Sequence, residues 1–192
     1  MRKFAATAIA AASAMLAATP ALAHPGHVQG GFMDGLLHPL TGMDHMAAML
    51  LVGLWAGLVA GRALWALPAG FLAAMLAGFG WGALAHRGSG HGVEMLIILS
   101  LLVLGTVVTL RLRAPFVLAA GAAVLFGFSH GLAHGLEAPG GQAAPAFAAG
   151  FLATTSMLNG AGLLLARHLP VGWTRAIGAA GAGLGLLLAG TA

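Results

Sequence analysis

The sequence contains no cysteine among its 192 residues. This absence excludes disulfide bonds, iron–sulfur clusters and thiolate metal sites together. A metal ion bound by the chain must therefore be held by nitrogen and oxygen ligands, with methionine thioethers as the remaining soft donors. Nine histidines and nine methionines are present, so the imidazole is the abundant metal-binding group.

Charged residues are also scarce. They make up 6% of the chain, against roughly a quarter in a soluble domain, while apolar residues make up 60%. The apolar residues form long Ala-, Leu- and Gly-rich runs, which predict an all-α, polytopic membrane protein. The basic residues form no cluster, which argues against a nucleic-acid partner. A G-x-x-x-x-G-K-S/T motif, which would indicate an ATPase, is absent.

The N-terminal residues 1–23 predict a secretory signal peptide. A short basic start is followed by an apolar stretch over residues 4–16, too short to span a bilayer, and by a small-residue Ala-Leu-Ala end. Cleavage after Ala23 would leave His24 and His27 near a mature N-terminus in the periplasm. The alternative is an uncleaved anchoring helix.

The remaining residues, 24–192, predict a single transmembrane domain of six helices, because each apolar run is near the roughly 20 residues that cross the hydrocarbon core. The predicted spans are Thr41–Ala60, Leu64–Ala85, Gly92–Leu110, Ala114–His134, Ala143–Ala166 and Val171–Leu188. With the mature N-terminus outside, most loop arginines fall inside, as the positive-inside rule requires. We therefore predict a multi-pass protein of the bacterial inner membrane. Pro39 and Gly42 interrupt the helix before the first span, and the preceding residues 34–38 are interpreted as a short helical turn on the outer surface.

Histidine and carboxylate side chains collect on one side of this topology. All four acids and eight of the nine histidines fall in outer loops or in the outer ends of spans. Ionisable groups at a membrane boundary are costly and therefore usually mark a function. The asymmetry predicts a vestibule on the outer side that collects cations.

Two segments carry most of these groups. The segment His38–His45 (HPLTGMDH) opens the first predicted span, and the segment His130–Glu137 (HGLAHGLE) closes the fourth. Histidines 130 and 134 are one helical turn apart, so their rings lie on one face about 6 Å apart. The two segments share a predicted depth and so predict one metal site, which suits Ni²⁺, Co²⁺, Zn²⁺ or Cu²⁺ better than Mg²⁺ or Ca²⁺. The candidate ligands are His38, Asp44, His45, His130, His134 and Glu137.

Five other residues on the same side are weaker candidates for the site or its entrance. His91 and Glu94 begin the third predicted span, three residues apart, and Asp34 would steer cations electrostatically. For these three residues the alternative is a solvated or capping role. His24 and His27 would collect metal at the mature N-terminus or remain solvated.

The two segments resemble the paired motifs of the HupE/UreJ family. HPLTGMDH is followed by Phe128-Ser-His-Gly-Leu-Ala-His-Gly-Leu-Glu137 in the family's order, and the resemblance covers essentially the whole mature chain. It implies a small inner-membrane nickel permease linked to hydrogenase or urease maturation, with cobalt as a second metal. The family's first-span motif maps onto His38, Asp44 and His45, and its fourth-span motif onto His130, His134 and Glu137. Ligand chemistry alone leaves the metal open.

The resulting hypothesis is a permease, not an enzyme, that moves Ni²⁺ or Co²⁺ from periplasm to cytoplasm and needs no cofactor beyond the transported ion. Its partners would be the metal ion and the lipid bilayer, and a homo-oligomer is left open. The alternatives are an intramembrane hydrolase that uses Ser156 and His130, a haem-binding electron carrier, and a metal sensor or accessory subunit without transport. A Gly-x-Ser-Gly signature at Ser156 and a His-Glu-x-x-His motif are both absent, which disfavours the hydrolase.

Histidine ligation predicts that transport is sensitive to acid. A free imidazole has a pKa near 6.5, and a protonated imidazole cannot bind a metal ion. Metal uptake by proteoliposomes should therefore fall as the pH decreases from about 7 to about 5.5. Uptake that stays constant over this range would contradict histidine ligation.

Overall fold

The computed structural model describes residues 31–59, 61, 63–85, 91–138 and 143–191. Within these ranges the chain forms seven α-helices and no strand, which confirms the all-α prediction. The helices are α1 (Phe32–Thr41), α2 (Met43–Val59), α3 (Ala63–Ala85), α4 (His91–Leu110), α5 (Phe116–Glu137), α6 (Ala144–His168) and α7 (Val171–Ala189). The predicted signal peptide, with His24 and His27, lies outside the described residues.

Helices α3 to α7 are long and apolar enough to cross a membrane, and they confirm the predicted second to sixth spans within three residues at each end. The largest difference is in α5, which was expected over Ala114–His134. Pro115 occupies its N-cap, so the helix begins at Phe116. At the other end Ala138 is extended (ψ 146°) ahead of Pro139, as expected for a residue that precedes proline. The helix therefore continues to Glu137 and carries the whole second motif.

The first predicted span, Thr41–Ala60, is broken in the structure. Helices α1 and α2 meet at Gly42 with a bend of 88°, and the pair counts as a sixth span only if both helices are taken together. Gly42 is extended, with φ −102° and ψ 113°, and Pro39 lies inside α1. The expected interruption is therefore present at Gly42, whereas α1 continues through Pro39 to Thr41. We refer to α1 and α2 together as the broken span.

The helical turn predicted at residues 34–38 is present as part of a longer helix, the ten-residue α1, which packs against α6. Gly35 lies directly on the backbone of Phe147. The hydroxyl of Thr154 donates to the carbonyl of Leu36 at 2.5 Å. The glycine lacks a side chain, so the two helices approach closely at this point.

The broken span places the first motif inside the bundle. Thr154 of α6 contacts α1, whereas the next residue, Thr155, donates to the sulfur of Met49 in α2 at 3.3 Å. Helix α6 therefore contacts both helices of the broken span, one on each side of Gly42.

Helices α3 and α5 pack backbone to backbone through glycines on both sides. Gly127, Gly131 and Gly135 of α5 lie on the backbones of Phe71, Met75 and Phe79, respectively. Close helix contacts through small residues are a common source of stability where lipid removes the hydrophobic drive. This contact orients α5, because the glycine stripe faces α3 and leaves the neighbouring histidines to face α1 and α2.

Replacing Gly131 by alanine should destabilise the fold. The added Cβ would enter the backbone of Met75, which cannot yield as a flexible side chain can. We expect a loss of roughly 1–3 kcal/mol, measured as a lower Tm in detergent. Gly121→Ala on the same helix is the matched control, since an added Cβ there meets nothing within 4 Å. Equal Tm values for the two variants would contradict the close packing of α3 and α5.

Candidate metal centre

The two motifs converge in the structure. The ring centroid of His134 lies 4.8 Å from that of His38 and 4.7 Å from that of His45, and His45 lies 4.9 Å from His130. Two rings come from the broken span and two from α5. The bend at Gly42 makes this possible, because it presents the end of α1 and the start of α2 to the same face of α5. We refer to these four rings together as the imidazole cluster.

The outer side of the cluster includes a carboxylate. Glu137 accepts from Nε2 of His38 at 3.1 Å. Potential ligand atoms of His38, His134 and Glu137 all lie within 4.8 Å of one another, which is a spacing that one metal ion can bridge. The side chain of Glu137 is 62% exposed and that of His38 is 28% exposed, whereas His134 is buried. The three residues therefore connect the surface to the interior.

A second carboxylate of the cluster, Asp44, is paired with His45. Its Oδ1 contacts Nδ1 of His45 at 3.0 Å and accepts the backbone N–H of His45 at 2.8 Å. A carboxylate that accepts a hydrogen bond from Nδ1–H leaves the Nε2 lone pair available for a metal. This arrangement is common among histidine ligands. Gly42 makes room for this pair, since a Cβ there would lie 2.8 Å from Oδ1 of Asp44.

The buried histidines retain unused nitrogen atoms. His130 and His134 are almost fully buried, with relative exposures of 0% and 1%. Among the described residues, Nδ1 of His130 and both ring nitrogens of His134 have no hydrogen-bond partner. A buried polar atom without a partner costs about 1–3 kcal/mol, so three of them in one place need an explanation. A bound cation would satisfy one nitrogen of each ring, because a neutral imidazole has a single lone pair, and imidazole donors fit a borderline divalent metal.

The comparisons with known proteins identify the family of this chain. The sequence matches the family described as HupE / UreJ protein over residues 12–191. The chain belongs to the HupE/UreJ family. It is 37% identical over 171 residues to Protein HupE of Rhizobium leguminosarum bv. viciae, an overlap that covers 88% of this chain and 87% of the relative. No solved structure matches the chain.

In this HupE/UreJ member, the structure brings the residues of the two motifs into contact. All six motif residues singled out from the sequence lie in or beside the imidazole cluster. Their assignment as metal ligands stays a prediction. Asp44 is paired with the imidazole that follows it, so its first role in the geometry is to orient His45.

The weaker candidates occupy different places. Glu94 lines a cavity of about 370 Å³ together with Asp44, His45 and Glu137, so it lies at the expected entrance. Asp34 accepts the backbone N–H of Gly31 at 3.2 Å at the start of α1, which is the capping role considered for it. His91 is the first residue of α4, and its side chain lies outside the described part of the chain.

Three residues of the site were missed by the sequence analysis. Ser100 of α4 is buried, and its hydroxyl lies 3.1 Å from Nε2 of His130. Phe151 stacks on His134 with ring centroids 5.0 Å apart, and Phe147 contacts His38 at 5.2 Å. The serine is a lone polar residue in an apolar run, which was its only signal in the sequence. The phenylalanines resemble ordinary core residues, so only their contacts reveal that they wall the cluster.

The position of Ser156 on α6 argues against the hydrolase alternative. Ser156 is exposed, and its hydroxyl donates to the carbonyl of Leu152 within the same helix. His130 is fully buried in the cluster, so the two residues cannot form a catalytic pair in this conformation. Asn159 of the same helix is buried, and its side-chain amide has no partner among the described residues.

His134→Ala should weaken binding of Ni²⁺ to the purified protein at least tenfold. The variant removes the ring that contacts both His38 and His45. Ser156→Ala should bind as the wild type does, since its hydroxyl contacts only its own helix. Isothermal titration calorimetry in detergent measures both affinities. Equal losses in the two variants would mean that the cluster is not the binding site.

Proposed function

We propose that the protein transports a divalent transition-metal cation, Ni²⁺ first and Co²⁺ second, across the inner membrane from periplasm to cytoplasm. The single observation that carries this proposal is the convergence of four imidazoles and two carboxylates at the break of a membrane-spanning segment. Membership in the HupE/UreJ family supports metal transport over catalysis and supplies nickel as the first candidate.

The donor set supports a transition metal over an alkaline-earth ion. Imidazole nitrogen suits Ni²⁺, Co²⁺, Zn²⁺ and Cu²⁺, whereas Mg²⁺ and Ca²⁺ prefer oxygen ligands. Four rings against two carboxylates therefore favour the first group. Phe151 stacks on the buried ring of His134 and shields it from water, which strengthens the interaction between a lone pair of this ring and the cation.

The gradient of exposure suggests the order in which the ion meets its ligands. The cavity lined by Asp44, Glu94 and Glu137 would attract a cation at the surface. Glu137 and His38 would receive it, because they are accessible and paired with each other. His45 lines the same cavity and is also accessible. Transfer to the buried His134 and His130 would follow, each ring being within 5 Å of the next.

The break between α1 and α2 resembles a recurring device of transporters, in which discontinuous helices place their ends at the substrate site. Asp44 lies in the first turn of α2, where the helix dipole stabilises a carboxylate and the carboxylate offsets the positive end of the helix toward a cation. Binding must also remain weak enough for release, as in any conducting site.

Transport would draw its energy from the membrane potential. The sequence carries no nucleotide-binding motif, and a dication that moves inward through 100 mV gains roughly 4–5 kcal/mol. The partners that we propose are the transported ion and the lipid bilayer.

Uptake of ⁶³Ni²⁺ into proteoliposomes with an interior-negative potassium diffusion potential tests this proposal. The wild type should accumulate the ion, Co²⁺ should compete more strongly than Mn²⁺, and His45→Ala should reduce the initial rate at least tenfold. His168→Ala is the matched control, because it removes an exposed imidazole from the opposite end of α6 and should leave the rate unchanged.

Two outcomes would overturn the proposal. Nickel binding without potential-dependent uptake would favour the alternative of a metal-binding accessory or sensor protein. Equal losses in His45→Ala and His168→Ala would show that the imidazole cluster is not on the transport path.

A further inference from the structure

Ser100 makes two hydrogen bonds in the core of the bundle. Its Oγ lies 2.6 Å from the carbonyl oxygen of Ile97 and 3.1 Å from Nε2 of His130. Ser100 and His130 both have a relative exposure of 0%. Water therefore cannot replace either bond. The positions of the hydrogen atoms must satisfy the carbonyl of Ile97, the hydroxyl of Ser100 and the ring of His130 together.

The carbonyl of Ile97 decides where the serine proton lies. A carbonyl oxygen only accepts, and a hydroxyl has a single proton to donate. The 2.6 Å contact between the two oxygens therefore contains the proton of Ser100. The serine oxygen must then accept from His130, so that Nε2 of the ring carries its N–H.

This assignment leaves Nδ1 of His130 with the lone pair, because a neutral imidazole carries one N–H and one acceptor nitrogen. Nδ1 is the ring nitrogen that has no partner in the described part of the chain. The opposite tautomer would bury an N–H at Nδ1 without an acceptor. It would also make Nε2 an acceptor, so that Nε2 and the carbonyl of Ile97 would compete for the single proton of Ser100. Both effects disfavour it.

We propose that Ser100 is a positioning residue that holds His130 in the Nε2–H tautomer, so that Nδ1 is the atom offered to the transported metal. Binding of the metal by Nδ1 rests on the proposed function, whereas the tautomer is a property of the metal-free protein. Asp44 does the corresponding task for His45 through the other nitrogen, since it contacts Nδ1. The two perpendicular rings therefore present opposite atoms, Nε2 of His45 and Nδ1 of His130, with centroids 4.9 Å apart.

The ¹⁵N chemical shifts of histidine tautomers provide a direct test in the full-length, metal-free protein labelled with [¹⁵N]histidine. Spectra are recorded at about pH 8, well above the ordinary imidazole pKa near 6.5. His130 is assigned by the signal lost in His130→Gln. The wild type should show His130 with a protonated Nε2, and Ser100→Ala should show a mixture of tautomers or the Nδ1–H form. Ser100→Thr, which keeps the hydroxyl, should retain the wild-type spectrum.

Ser129→Ala is the matched control for loss of a buried hydroxyl. Ser129 precedes His130, is as deeply buried, and donates to the carbonyl of Leu125 in its own helix at 2.9 Å. Its variant should keep the Nε2–H tautomer and the wild-type affinity for Ni²⁺. Ser100→Ala should bind Ni²⁺ ten- to a hundredfold more weakly, the usual effect of losing a group that orients a histidine ligand.

The tautomer and transport proposals can fail separately. A wild-type His130 protonated on Nδ1 would overturn the role of Ser100, and this result does not require any variant to fold. Wild-type nickel affinity in a folded Ser100→Ala protein would also overturn it, even with normal nickel uptake by the wild type. Absence of uptake by the wild type, with His130 protonated on Nε2, would instead reject the proposed transport and leave the tautomer assignment in place.

Discussion

The sharp bend between α1 and α2 brings His38 and His45 to the same face of α5, and the rest of the site depends on this geometry. A continuous helix would carry the two residues along one axis, separated by seven positions. The 88° break at Gly42 instead turns them toward His134, which contacts both rings. Helix α6 holds the bend in place, because consecutive threonines, Thr154 and Thr155, hydrogen-bond the two halves.

The glycine contacts supply the second constraint. Backbone packing of α3 on α5 and of α2 on α6 fixes the rotation of each helix about its axis. In a bilayer this contact has particular value, since apolar side chains gain little by leaving lipid for protein. Once Gly131 faces α3, the neighbouring His130 must face the interior. The small residues thus determine the direction of the functional ones without touching them.

Each imidazole on which the site depends is oriented by a different element. Glu137 holds His38, Asp44 holds His45, and Ser100 contacts His130. Histidine 134 has no such partner among the described residues and is instead stacked against Phe151. The ring of His134 contacts both His38 and His45. A ring held by packing alone can approach an ion from either side, which suits the middle position of a path.

Local properties of the chain were readable from the sequence. Run length predicted five of the spans closely, and helical periodicity placed His130 and His134 on one face, because both depend on neighbouring residues only. The contacts of Ser100 and Phe151 and the exposure of Ser156 were decided by tertiary structure. Each depends on how one helix is rotated against another that is distant in sequence. Thus residue identity determined which groups were available to bind a cation, and the packing of seven helices decided which atoms of those groups meet.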